Sequence, residues 1–296
     1  MKKSKTSNTG RFSPARAEKR TLLAVLAHPD DESFGMGGTL ALYASRGVEV
    51  HLICATRGEV GDVPQELLAG FDSIAALRES ELRCAAGILG LAGVHFLDYR
   101  DSGMPGSPDN THPRALAFQP LDEVAANVVC YIRDLKPQVV LTFDPIGGYH
   151  HPDHIAIQRA TARAFEDSAD PEFAPQSGPP WQPQRLYFHK MPNGLLKVAV
   201  KVLPLVGRDP HRFGSNGDID LVPIAAASFP THARIDIRSV VDKKERAGAC
   251  HASQGGGKMG GGVVSLLMRF FNGSESFMQA SPPFQKGEKI AKDLFA

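Results

Sequence analysis

The 296-residue chain is predicted to be α/β: a Rossmann-like three-layer fold with a mostly parallel sheet and a smaller C-terminal part. Two observations carry that prediction. Short, continuously apolar runs recur through the first two thirds of the sequence, as strands covered on both faces require. Helical patterns long enough for right-handed crossovers separate them.

The elements follow in order. Thr21 to His28 reads as the first strand, Gly35 to Arg46 as a helix, and "GVEVHLICAT" from Gly47 as the second strand. A helix from about Ser73 to Leu89, a short strand at Val94 to Asp98, a helix from about Leu121 to Leu135 and the strand Val139 to Phe143 continue the alternation. A helix from about Asp153 to Phe165 and the strand Arg185 to Lys190 extend it. Beyond Lys190 the rhythm is less regular. The region 191–230 reads as an insertion with one short apolar element or as a flap, and Ala233 to Ser253 as a strand running into a helix. The glycine-rich stretch 255–262 is expected to be an exposed loop or an active-site rim. The expected organisation is a disordered basic tail at 1–20, a catalytic core at 21–190, and a C-terminal part at 191–296 that packs on the core with substrate-facing loops.

Composition narrows the function. With 42% hydrophobic residues the chain can build a core without repeats or staples. Its 33 Lys plus Arg against 32 Asp plus Glu give no electrostatic case for nucleic acid or an anionic membrane. The basic start lacks the apolar stretch of a signal peptide or a membrane span. Cys54, Cys84, Cys130 and Cys250 are widely spaced without a CxxC pair, so no disulfide framework or thiolate zinc knuckle is expected, and a reduced, cytoplasmic location fits.

The chemistry gathers in two places. "AHPDDE" (Ala27 to Glu32) follows the first strand, and "DPIGGYHHPDH" (Asp144 to His154) follows the strand "VVLTF". Ligands of parallel sheets bind beyond the carboxyl ends of strands, so the two clusters can meet in space. The three-residue spacing of His28 and Asp31 lets an imidazole and a carboxylate face one centre, and His154 could complete a two-histidine, one-carboxylate set of the catalytic zinc type. Asp30 is then free to act as a base, and His151 to stabilise an oxyanion or protonate a leaving amine as a cation held by Asp153. Asp153 could equally accept a proton from a ligand histidine and fix its tautomer. His51, His95, His112, His189 and His211 receive no role. The spacing G-x-G-x-x-G is absent after the first strand, which disfavours NAD. A metal hydrolase leads on these grounds, ahead of a phosphate or nucleotide site and a non-enzymatic domain.

These motifs resemble the LmbE-like, or PIG-L, family of zinc-dependent N-acetylglucosamine de-N-acetylases. The resemblance extends to "TRGEVG" (Thr56 to Gly61), "LRESEL" (Leu77 to Leu82), "YRDSGM" (Tyr99 to Met104) and "IDIRSVVDKKERAGACHASQ" (Ile235 to Gln254), and so covers most of the chain. It looks closest to the branch holding the mycothiol-pathway deacetylase and the mycothiol S-conjugate amidase. It implies zinc at His28, Asp31 and His154, with Fe2+ as another candidate cation. Asp30 matches the general base, His151 the residue that stabilises the tetrahedral intermediate or protonates the amine, and Asp153 the partner that orients the catalytic histidine. Tyr149 matches a mobile tyrosine near the acetyl group, and Arg78, Asp101 and Glu32, within matched segments, are expected to bind substrate. The implied activity is hydrolysis of the N-acetyl amide of an N-acetylglucosamine-containing small molecule. Alternatives are an amidase for a thiol-conjugated glucosaminyl-inositol compound and a carbohydrate-binding protein that has lost catalysis. The expected partner is an amino-sugar small molecule, with no nucleic acid and no membrane span, and a homo-oligomer is left open.

Overall fold

The computed structural model describes residues 19–190, 194–212, 217, 219–256 and 273–296. In chain order the main elements are β1 (Thr21–Leu26), α1 (Gly37–Ser45), β2 (Glu49–Cys54), α2 (Ile74–Leu89), β3 (Gly93–Phe96), α3 (Leu121–Leu135), β4 (Val139–Thr142), the short kinked α4 (Gly147–His150), α5 (Pro152–Asp167) and β5 (Arg185–Lys190). They are followed by α6 (Gly194–Val202), α7 (Leu221–Ala226), β6 (Ala233–Asp236), α8 (Val241–Cys250) and β7 (Ser274–Ser281). The strands form one sheet of order β3-β2-β1-β4-β5-β7-β6. Its first five members are parallel, while β7 runs antiparallel to both β5 and β6. The α/β class and the mostly parallel sheet are therefore as the apolar runs predict.

β1 is apolar without alternation because helices cover both of its faces, and Leu22, Leu23, Ala24 and Val25 are fully buried. α1, α2 and α8 pack together as one layer, and α3 and α5 as another. The first signal for α2 is Ser73, whose hydroxyl accepts a hydrogen bond from Ala76 N at 3.1 Å; Gly90, at φ 80°, ends the helix. The strand order reverses between β1 and β4, so the loops leaving these two strands diverge and open a crevice at their carboxyl ends. Both His/Asp clusters begin there.

Two local readings change, and one strand is added. β1 ends at Leu26 rather than His28, and a π-helical turn over Glu32–Met36 precedes α1, because the acidic loop turns sharply to bring its side chains inward. The region 191–230 contains two helices, α6 and α7, rather than one apolar element. The strand β7 had no reading in the sequence: "SESFMQAS" alternates, but its polar positions include Glu275 and Gln279, which are themselves buried. Residues 1–18 of the basic tail expected at 1–20, and most of the glycine-rich stretch, 257–262, lie outside the described residues. Cys84 of α2 and Cys250 of α8 form a disulfide, which corrects the expectation of uniformly reduced thiols; helix packing joins residues 166 apart that no CxxC spacing could reveal. Cys54 and Cys130 are free.

Candidate metal centre

The chain leaving β1 makes a tight turn in which Asp30 adopts φ 126°, a conformation costly for a residue with a side chain. The turn is closed by the His28 backbone N–H, which donates to Asp31 Oδ2 at 2.8 Å. After β4, Asp144 Oδ1 accepts from the backbone N–H groups of Ile146 and Gly148, shaping a loop that returns the chain toward β1. His151 then caps α5, its Nδ1 accepting from Asp153 N at 3.2 Å, with Pro152 in the first turn. His154, one turn in, lies beside His28.

The polar atoms converge. His28 Nδ1 lies 3.2 Å from His154 Nε2 and 3.6 Å from Asp31 Oδ2, and His154 Nε2 lies 3.3 Å from Asp31 Oδ1. A tetrahedral centre with ligand bonds of about 2.0–2.1 Å spaces its ligands about 3.3–3.4 Å apart, close to these separations. The outer hydrogen bonds fix the tautomers. His28 Nε2 faces Asp153 Oδ2 at 3.2 Å and Asp101 Oδ1 at 3.5 Å, so its proton belongs there. His154 Nδ1 is 3.2 Å from the Gly147 carbonyl, which can only accept. Both inner nitrogens then present lone pairs to each other and to a carboxylate, an arrangement that repels itself unless a cation or a proton sits between. These residues fit a divalent metal on their own chemistry.

The electrostatics agree. Burial opposes a charge on His28, yet Asp101, Asp153 and Asp31 outweigh it and raise its pKa well above the ordinary value. Burial likewise opposes ionisation of Asp31, but His154 and His28 lower its pKa. His154 is drawn down to about 4 by burial, with Asp31 working against the fall. The carboxylates that favour a charge on His28 would equally offset the charge of a bound cation.

His151 also approaches: one ligand atom from each of His28, His151 and His154 lies within 4.8 Å of the others. Burial, reinforced by His28 and His154, depresses its pKa well below the usual value. Its Nδ1 accepts a backbone hydrogen bond, so the neutral ring carries its proton on Nε2. The Asp153 carboxylate does not hold His151 as a cation. It accepts instead from His28 Nε2, from Ser102 N at 2.9 Å and from the Ser102 hydroxyl. Of the two partners the residues left open for Asp153, the structure selects the candidate metal ligand, and the pairing implied by the resemblance is corrected.

Asp30 points elsewhere. Arg78 Nη2 donates to Asp30 Oδ2 at 3.2 Å and to the Pro29 carbonyl at 2.8 Å, while Nη1 donates to the Gly58 carbonyl. Gly58, at φ 64°, leaves no room for a side chain: a Cβ there would lie 2.0 Å from Arg78 Nη1. Burial pushes the Asp30 carboxyl up to about 7, with Arg78 opposing the rise.

Of the residues expected to bind substrate, Tyr149 lies in the wall of a cleft of about 460 Å³ that Asp30, Asp31 and His154 also line. Arg78, Asp101 and Glu32 do not line it, and neither do His28 and His151. Asp101 accepts from Gly103 N at 2.8 Å, and both Glu32 oxygens are engaged by Asp30 N, the Ser33 hydroxyl and His251. All three are buried and act as supports. His189, given no role from sequence, stands in the cleft wall, as do Lys244 and Glu275, paired at 2.5 Å. Ser102 and His251 were missed as supports although both fall in the matched segments "YRDSGM" and "GACHASQ", because a motif does not reveal which way a side chain points.

A family model described as GlcNAc-PI de-N-acetylase matches residues 23–165. The chain is 43% identical to a 1D-myo-inositol 2-acetamido-2-deoxy-alpha-D-glucopyranoside deacetylase 1 of Catenulispora acidiphila, an alignment covering 94% of this chain and 89% of that protein. It is 40% identical to the deacetylase of the same description from Geodermatophilus obscurus, over 79% of this chain and 83% of the relative. In fold it is similar to N,N'-diacetylchitobiose deacetylase of Pyrococcus horikoshii, with TM-score 0.59 and 21% identity over 88% of this chain and 84% of that one.

Proposed function

Because the chain belongs to the PIG-L family, we propose that it hydrolyses the N-acetyl amide of an N-acetylglucosamine-containing small molecule, with 1D-myo-inositol 2-acetamido-2-deoxy-alpha-D-glucopyranoside as the substrate to test first. The observation that carries this reading is the convergence of His28 Nδ1, His154 Nε2 and the Asp31 carboxylate, each inner nitrogen left bare by its outer hydrogen bond. Zn2+, or Fe2+ in its place, would be held by these three residues and would supply Lewis acidity to polarise the amide carbonyl and acidify water.

The remaining roles fall to the chain. The Asp30 carboxylate takes a proton from the attacking water as its oxygen bonds to the carbonyl carbon. The His151 ring, protonated on Nε2, donates to the carbonyl oxygen as negative charge gathers on it. The carbon–nitrogen bond then breaks, the proton held by Asp30 goes to the amine, and acetate leaves. Asp153 keeps His28 in its ligating tautomer, and Tyr149 bounds the space for the acetyl group.

A second reading, a larger acyl group, draws support from the apolar part of the cleft wall formed by Phe34, Met36, Ile237 and Val241. Acetate release from the pseudodisaccharide, compared with release from bulkier N-acyl analogues under one condition, separates the two. Sugar binding without turnover of any of them would point instead to a binding protein. No helix among the described residues is long and apolar enough to cross a membrane. The Cys84–Cys250 bond favours a compartment that is not strongly reducing over the cytoplasmic location that the cysteine spacing suggests, and a homo-oligomer stays open.

A further inference from the structure

His251, 219 positions after Glu32 in sequence, reaches it directly: Nε2 lies 2.8 Å from Glu32 Oε1, and both side chains are fully buried. Nε2–H is a donor in the neutral and the charged ring alike, provided the proton of the neutral form sits there. The opposite nitrogen, Nδ1, is buried without a partner among the described residues, so the neutral ring gains nothing by moving its proton across. Ser33 adds a second donor to the same oxygen at 2.5 Å. The other carboxylate oxygen, Oε2, accepts the backbone N–H of Asp30 at 3.0 Å.

That last bond matters because Asp30 stands at φ 126°. A residue with a side chain holds such a conformation only when its surroundings over-determine it. Arg78 restrains the Asp30 carboxylate, whereas Glu32 restrains its backbone. Glu32 could turn about its own side-chain torsions if Ser33, its immediate neighbour in the chain, were its sole anchor. His251, borne on the segment that follows α8, ties it to a separate part of the fold.

We propose that His251 is a positioning residue, which through Glu32 holds the backbone of Asp30 where its carboxylate meets the attacking water. The proposal rests on the reading of Asp30 as the base. It makes the C-terminal part a contributor to the chemistry of a loop that β1 carries.

The test uses the full-length, metal-loaded enzyme and the N-acetylglucosaminyl-inositol substrate. In His251→Ala, and in His251→Asn, whose amide stops short of Glu32, kcat should fall about 10- to 100-fold, the order expected for a misplaced catalytic group. KM and the bound metal per chain should stay within twofold of the parent. In His251→Gln, whose amide N–H reaches to a similar distance as Nε2, most of the kcat should return. A parent-like kcat in both His251→Ala and His251→Asn overturns the proposal. So does a loss that merely follows lost metal or a lowered folded fraction, measured by metal analysis and thermal melting, or a loss that His251→Gln does not relieve. Asp30→Asn is run beside them: if it retains full kcat, the reading of Asp30 has failed, and the proposal falls with it for a reason distinct from the His251 results.

Discussion

At the scale of single residues, the proposed mechanism gives different work to two adjacent carboxylates. Asp31 faces the two bare imidazole nitrogens, and Asp30 turns away to Arg78. Asp30→Asn is therefore expected to keep its metal while losing about 10² to 10⁴ in rate, the usual share of a general base. His154→Ala should first lose metal affinity, with activity following. Metal analysis beside kcat distinguishes the two, and an Asp30→Asn protein emptied of metal would reverse the assignments. A second expectation concerns His189, which burial draws down to about 4, Glu275 and Asp31 pulling upward and Lys244 downward. The unfolded chain takes up this proton near pH 6.5, whereas the folded chain does so only near pH 4. The neutral ring thus contributes stability that is present above about pH 6.5 and lost as pH falls toward 4. Urea melts across this range should show a shallower decline in His189→Asn than in the parent, and parallel curves would exclude the effect.

At the scale of elements, two strand ends and three helices build the site. The β1 loop brings His28 and Asp31, the first turn of α5, after the β4 loop, brings His154, α2 brings Arg78, and the end of α8 leads to His251. The disulfide between Cys84 and Cys250 ties α2 to α8. Cross-links across long loops commonly add about 2–4 kcal/mol by restricting the unfolded chain. Cys84→Ser should accordingly lower the melting temperature, and a reductant should lower that of the parent but leave the variant unchanged; equal melting of both proteins without reductant would contradict a stabilising bond. The parallel strands and their helices were legible in sequence because apolar runs and helical patterns are local. The His/Asp motifs, placed after β1 and β4, pointed to the candidate site for the same reason. The direction of the Asp153 carboxylate was not legible, since it depends on Ser102 and His28, distant in sequence. Nor were Glu32 and Arg78 recognisable as supports, because exposure distinguishes a substrate contact from a buried brace, and burial is decided by the whole fold. β7 escaped for a related reason: Glu275 is buried where it receives Lys244 and the backbone N–H groups of Gly38 and Thr39.

At the scale of the whole molecule, a reversal of strand order opens a crevice, and the C-terminal third closes one side of it. Lys190 from the last parallel strand, Val241 and Lys244 from α8 and Ser276 from β7 all reach the same cleft as Asp31 and His154. The central claim is that this cleft is a metal-dependent amide hydrolase centre built on His28, Asp31 and His154. Its most direct test is titration of Zn2+ into chelator-stripped protein, with bound metal and acetate release from the N-acetylglucosaminyl-inositol substrate followed in the same samples. Acetate release should be negligible at the start and should rise in proportion to metal up to about one cation per chain, as expected where the cation supplies the Lewis acidity. Undiminished acetate release from protein shown to be free of metal would contradict the account.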